Sequence, residues 1–140
     1  MWHRTLVGTH EVRIEPRKRR VIIDGREVPM HVFHSRCVFM DEDTNLVVKI
    51  ASGNSHHCLN EARLWKRVEG TTDAVYFAPV LASHHSGTWL VQRLIRSEGY
   101  RTWRRVSEVG RVMGKHKLVD LHTGNWVVRD RRVVIVDYGA

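Results

Sequence analysis

A lysine stands in the middle of an otherwise apolar run, Leu46-Val47-Val48-Lys49-Ile50-Ala51. Read as a strand, period-two alternation puts Val47, Lys49 and Ala51 on one face and Leu46, Val48 and Ile50 on the other. A cation among apolar neighbours must meet an anion or stay at an edge. The next element offers the anion. Ser52 to Ser55 is a breaker and capping stretch and Gly70 a stop, so residues 55–69 are predicted to form a helix. Cys58, Ala62, Leu64, Trp65 and Val68 share one arc of its wheel, with Glu61 near the middle and Asn60, Arg63 and Arg67 facing away. A carboxylate centred on an apolar stripe is costly unless paired, and Lys49 is its natural partner. The alternative is a surface glutamate on a helix packed another way.

Asp120 to Gly139 carries the second constellation. Asp120 opens a polar loop, Asn125 follows, and two β-branched runs then flank a charged turn before Asp137-Tyr138-Gly139. Two carboxylates and an amide from the ends of a hairpin are oxygen ligands suited to Mg²⁺.

Taken together, Asp120-x-x-x-x-Asn125 and the Asp137-Tyr138-Gly139 about a dozen residues later resemble the catalytic and metal-binding loops of the protein-kinase-like phosphotransferases. Lys49, Glu61, Asp120, Asn125 and Asp137 come in that family's order. The Leu121-His122-Thr123-Gly124-Asn125 wording is similar to small-molecule kinases, and the short distances are most like the small early protein kinases of podovirus-type bacteriophages. The resemblance covers roughly Phe33 to the C-terminus. It implies an α+β, truncated kinase-like fold in one domain, 1–140. Residues 1–95 would be an antiparallel N-lobe-like sheet with one helix, and 96–140 a reduced C-lobe of short helix, catalytic loop and β-hairpin.

It also implies ATP and Mg²⁺ as cofactors. Lys49, oriented by Glu61, would hold the α and β phosphates, and Val47 would cover the adenine. Gln92 to Ile95 would lie beside the base, Asn125 and Asp137 would hold the metal, and Asp120 would accept the proton of an acceptor hydroxyl. The acceptor by resemblance is a serine or threonine of a host protein, in the host cytoplasm.

Three departures bear on that reading. No Gly-x-Gly-x-x-Gly precedes the lysine strand, and His34-Ser35-Arg36 is the nearest stand-in, with Arg36 expected to reach phosphate through its side chain. Leu118-Val119 stand where protein kinases carry His-Arg before the catalytic aspartate. The sequence stops one residue past Asp137-Tyr138-Gly139, so an activation segment and further supporting helices are expected to be missing, with Asp120 held by the preceding helix or by a second copy in a homodimer. These departures favour an alternative, a catalytically inactive (pseudokinase) module that binds and inhibits a host protein.

Elsewhere the chain predicts a β-rich first half. Residues 1–20 suggest a frayed start with one edge strand (Val12, Ile14), and Val21-Ile22-Ile23 with Asp24-Gly25 and Val28 signals a hairpin. His31 to Met40 reads as a strand pair or a strand after a loop. Ala78 to Ala82 and Thr88 to Ile95 read as strands joined by His84 to Gly87. Trp103, Val106, Val109, Val112 and Met113 recur at helical spacing within 100–117.

With 23 Lys and Arg against 15 Asp and Glu, the net charge is +8, clustered at Arg17 to Arg20, Arg101 to Arg105 and Lys115 to Lys117. That suits nucleotide phosphates, an acidic protein surface or nucleic acid, the last with Trp2, Trp103 and Trp126 as stacking platforms. A plain solvated surface is the alternative. Cys37 and Cys58 form no disulfide framework and fit a reducing cytoplasm, Cys58 as a core residue. Zinc at His56-His57-Cys58 or His84-His85 has no second ligand pair at recognised spacing. The N-terminus lacks a signal-peptide core, and no apolar run approaches the ~18 residues of a membrane span.

Overall fold

The antiparallel strands follow from alternation and tight turns. The computed structural model describes residues 1–53, 55–118 and 123–139. Strands β1 (His3–Val7), β2 (His10–Glu15), β3 (Arg20–Ile23) and β4 (Arg26–Val28) form a meander in that order. A five-stranded antiparallel sheet follows, built from β5 (Met30–Phe33), β6 (Arg36–Asp41), β7 (Leu46–Ala51), β8 (Val80–Ser83) and β9 (Trp89–Arg93) in the order β5-β6-β7-β9-β8. Helix α1 (His56–Val68) leaves β7, helix α2 (Trp103–Lys115) follows β9, and β10 (Trp126–Arg129) pairs with β11 (Arg132–Ile135) as a hairpin. The class is α+β.

The two large sheets bury their facing sides in one core. Val12, Ile14, Val21, Ile23 and Val28 of the meander pack with Phe39, Leu46, Val48, Ile50, Trp89 and Val91 of the second sheet. Leu46, Val48 and Ile50 are the alternate residues of β7, so the apolar face of that strand is covered by the meander and Lys49 looks the other way. The layers are also fastened at an edge. Arg26 of β4 donates to both carboxylate oxygens of Asp41 at 2.8 and 3.1 Å, which holds the Asp41 carboxyl below its ordinary range. The C-terminal end of β6 is therefore partly a docking point for the meander.

A second core joins α1, α2 and the hairpin through Leu64, Val68, Phe77, Val109, Val112, Met113, Trp126, Val133 and Ile135. Main-chain bonds close it: Ala78 N donates to Ile135 O at 2.9 Å, and Phe77 bridges Ile135. Glu108 of α2 accepts from Val133 N at 3.1 Å, pinning the helix to β11.

Most predicted elements appear, with two corrections. Residues 1–20 are not frayed. They form a complete hairpin, His3 facing Ile14 and Val7 facing His10. The turn is Gly8-Thr9 with Gly8 at φ +60°, the left-handed geometry that two-residue hairpin turns require and glycine adopts freely. Leu6 of β1 is exposed and only Val7 is buried, so the strand shows little apolar alternation of its own. In α2, Trp103 and Val106 share the apolar phase but are 77% and 42% exposed, because the hairpin covers only the stretch from Val109 to Met113. The Asp24-Gly25 turn forms as expected, with both residues at positive φ.

Candidate functional site

β7 aims Lys49 away from the sandwich core and onto α1, where Glu61 sits one turn after Cys58 on the buried face. Lys49 Nζ lies 3.0 and 3.1 Å from the two oxygens of Glu61 and donates also to Val136 O at 2.9 Å. The expected strand–helix ion pair is thus formed, and it is deeply buried, with Glu61 0% and Lys49 4% exposed.

The pair belongs to a larger knot. Arg36 Nη2 donates to Glu61 Oε1 at 2.8 Å and to Asp137 Oδ1 at 2.7 Å. Tyr138 N donates to the same Glu61 oxygen at 3.0 Å. Two cations and two carboxylates neutralise one another within a site that excludes water from three of the four. Burial alone would raise the Glu61 carboxyl, but Lys49 and then Arg36 overcome it and hold it at about 2. For Arg36, burial works against the charge, and Glu61 and Asp137 more than restore it. A buried network of this kind is sound only when every member is satisfied.

Arg36, the stand-in for the missing glycine loop, is 3% exposed, and its guanidinium is engaged with carboxylates at the cleft. The register explains this. Arg36 faces Ala51, Val38 faces Lys49 and Met40 faces Val47 across β6 and β7. Alternation therefore puts the guanidinium on the same side of the sheet as the lysine ammonium. The signal was present in the sequence, but it needed the pairing partner of β6 to be known.

Beside this knot lies a cleft of about 370 Å³, within the range of small-ligand sites. Val47 and Lys49 of β7, Gln92 to Ile95 at the end of β9, and Asn125, Val127, Val136 and Asp137 at the ends of the hairpin line it. Val47, Lys49, Gln92, Asn125 and Asp137 are thus brought together. Gln92 is 1% exposed, and its side-chain amide donates to Ala78 O at 3.4 Å, so it serves as wall. The Asn125 carbonyl accepts from Val136 N at 2.8 Å and Asp137 N at 3.2 Å, which draws the two ends of the hairpin together. The Asp137 side chain is 45% exposed. A half-open carboxylate and an amide on one wall are the hard oxygen donors that Mg²⁺ takes, so this donor set fits the cation. Asp120 lies outside the described residues.

Gly139 packs closely on α1. Asn60 Nδ2 donates to Gly139 O at 3.1 Å, and Tyr138 Oη donates to Ala78 O at 2.7 Å. A Cβ on Gly139 would stand 2.2 Å from His57 O.

No family model matches the chain, and no curated protein matches it. Other sequence expectations resolve locally. Trp126 is 1% exposed and cannot be a stacking platform. Trp2 lies under Arg13 and Arg20 at 4.9 and 5.3 Å. Cys58 is buried, and burial pushes its thiol up, as suits a packed residue. Among the described residues, no three His, Cys, Asp or Glu side chains converge on a metal position, and no helix is long and apolar enough to cross a membrane.

Proposed function

We propose that the cleft binds ATP with Mg²⁺, and that the protein is a protein-kinase-like phosphotransferase of the phage type acting on a serine or threonine of a host protein. One observation supports this reading: a lysine held by a buried glutamate lines the same cleft as Asn125 and Asp137. Val47 would cover the base, with Gln92 to Ile95 at its edge. Lys49 would hold the α and β phosphates, and Asn125 and Asp137 the metal. The metal, when bound, would neutralise charge on the phosphates. Asp120 would orient the acceptor hydroxyl and take its proton. Phosphoryl transfer asks mainly for positioning and charge neutralisation, which a scaffold of this size can supply.

The test is thermal unfolding with ATP and MgCl₂. Ligand at a hundred times its Kd adds about 2.7 kcal/mol, a rise of several degrees for a domain of this size. Asp137→Ala should remove most of the rise. Asp120→Asn should keep it while ending phosphate transfer. A flat response to ATP and MgCl₂ would refute nucleotide binding.

A second reading has its own observation. Tyr100 and Trp103 are 90% and 77% exposed, beside Arg104, Arg105 and Arg131 around an open groove of about 620 Å³. A non-catalytic module docking on an acidic surface of a host protein would use such a face. A flat ATP response would leave this reading in place.

A further inference from the structure

Arg36 has a consequence for how the cleft takes a metal. Its guanidinium is held at the first position of β6, and one nitrogen is shared between Glu61 and Asp137 at 2.8 and 2.7 Å. Lys49 already satisfies both Glu61 oxygens, so the carboxylate that depends on Arg36 for its charge partner is Asp137. That side chain faces the cleft and is half-exposed, whereas Arg36, which also lines the cleft, is 3% exposed. A divalent ion arriving from the cleft meets a carboxylate whose charge is already neutralised and one of whose oxygens is occupied. Mg²⁺ gives up its own water reluctantly, so a neutralised carboxylate is a poor inducement.

We propose that Arg36 is a built-in counter-cation that competes with a divalent metal for Asp137. Metal alone therefore binds weakly. A metal that arrives with a polyphosphate binds better, because the phosphates add ligands and offer Arg36 another anion. This rests on the reading of Asp137 as the metal carboxylate. It makes Arg36 a positioning residue that acts through Asp137.

The experiment is a Mn²⁺ titration without nucleotide, following free Mn²⁺ by electron paramagnetic resonance. It compares the full chain, Arg36→Met and Arg36→Met with Asp137→Asn. A hydrogen bond to a charged group is worth roughly a ten- to hundredfold factor in an equilibrium constant. Arg36→Met should bind Mn²⁺ tighter than the wild type by about that factor, and the added Asp137→Asn should cancel the gain. Unchanged or weaker Mn²⁺ binding in folded Arg36→Met overturns the proposal. Arg36→Gln, which keeps an N–H donor for Glu61, gives the same comparison where circular dichroism shows the methionine variant unfolded. The outcome separates from that of the nucleotide reading. An ATP·Mg²⁺ shift with unchanged Mn²⁺ affinity removes the role of Arg36 alone. Tighter Mn²⁺ binding without any ATP shift keeps that role and removes the nucleotide.

Discussion

Glu61→Ala is expected to lower the unfolding free energy by about 3–5 kcal/mol, the cost of leaving buried charges without their partner. The carboxylate accepts from Lys49, Arg36 and Tyr138 N at once and is 0% exposed, so no water takes its place. Lys49 would keep Val136 O and Arg36 would keep Asp137, but two cations would then share one carboxylate. Chemical denaturation of the purified variant measures the loss. A variant within ~1 kcal/mol of the wild type would mean that the knot relaxes to solvent and contributes little.

The same residue sets an acid limit. Its carboxyl titrates at about 2 in the folded protein against an ordinary value of 4.5. A depressed folded value gives stability that is complete above the ordinary value and is lost as pH falls through the window toward 2. Asp24, Glu27, Asp41 and Asp73 are lowered as well, so the informative quantity is a difference. Stability of the wild type minus that of Glu61→Gln should shrink as pH is lowered from about 5 to about 2. A constant difference across that window would show that the Glu61 charge is not what the fold depends on.

Gly139→Ala is expected to be the most damaging of the small substitutions near the cleft. The added methyl would stand 2.2 Å from His57 O, 2.8 Å from His57 C and 3.0 Å from Glu61 Cγ. Two of these are main-chain atoms of α1, which cannot turn aside. The Tyr138-Gly139 segment must then lift from the helix, breaking the Asn60 contact and moving Tyr138 N off Glu61. Overpacking of this kind costs about 1–3 kcal/mol. Because Asp137 lies two residues away, any ATP·Mg²⁺ stabilisation should fall with it. A variant as stable as the wild type, with its ligand response intact, would mean that this segment does not need the observed contact.

These two residues mark the limit of what the sequence disclosed. The Lys49–Glu61 pairing was legible because each charge interrupts an apolar pattern, one of period two and one helical. Burial of either alone is prohibitive, so the pattern itself demands a partner. The Asp24-Gly25 turn, β7 to α1 and the β10–β11 hairpin were legible for similar local reasons. The β1–β2 hairpin was not, since the less exposed positions of β1 are His3, Thr5 and Val7 while apolar Leu6 is exposed, which leaves little apolar alternation to read. Trp103 and Val106 misled because periodicity reports which residues share a face but not how far a neighbouring hairpin extends along it.

The sequence by itself showed that a strand lysine and a helix glutamate suit one another as partners, and that Asn125 and Asp137 bracket a hairpin. Only the tertiary structure decided that Arg36 joins them. Cross-strand register, a long-range property, puts Arg36 on the cleft face, and the return of the chain 101 residues later brings Asp137 within 2.7 Å of it. Local patterns record which side chains need a partner. Which partner each one finds is settled by which surfaces the packed layers leave facing one another.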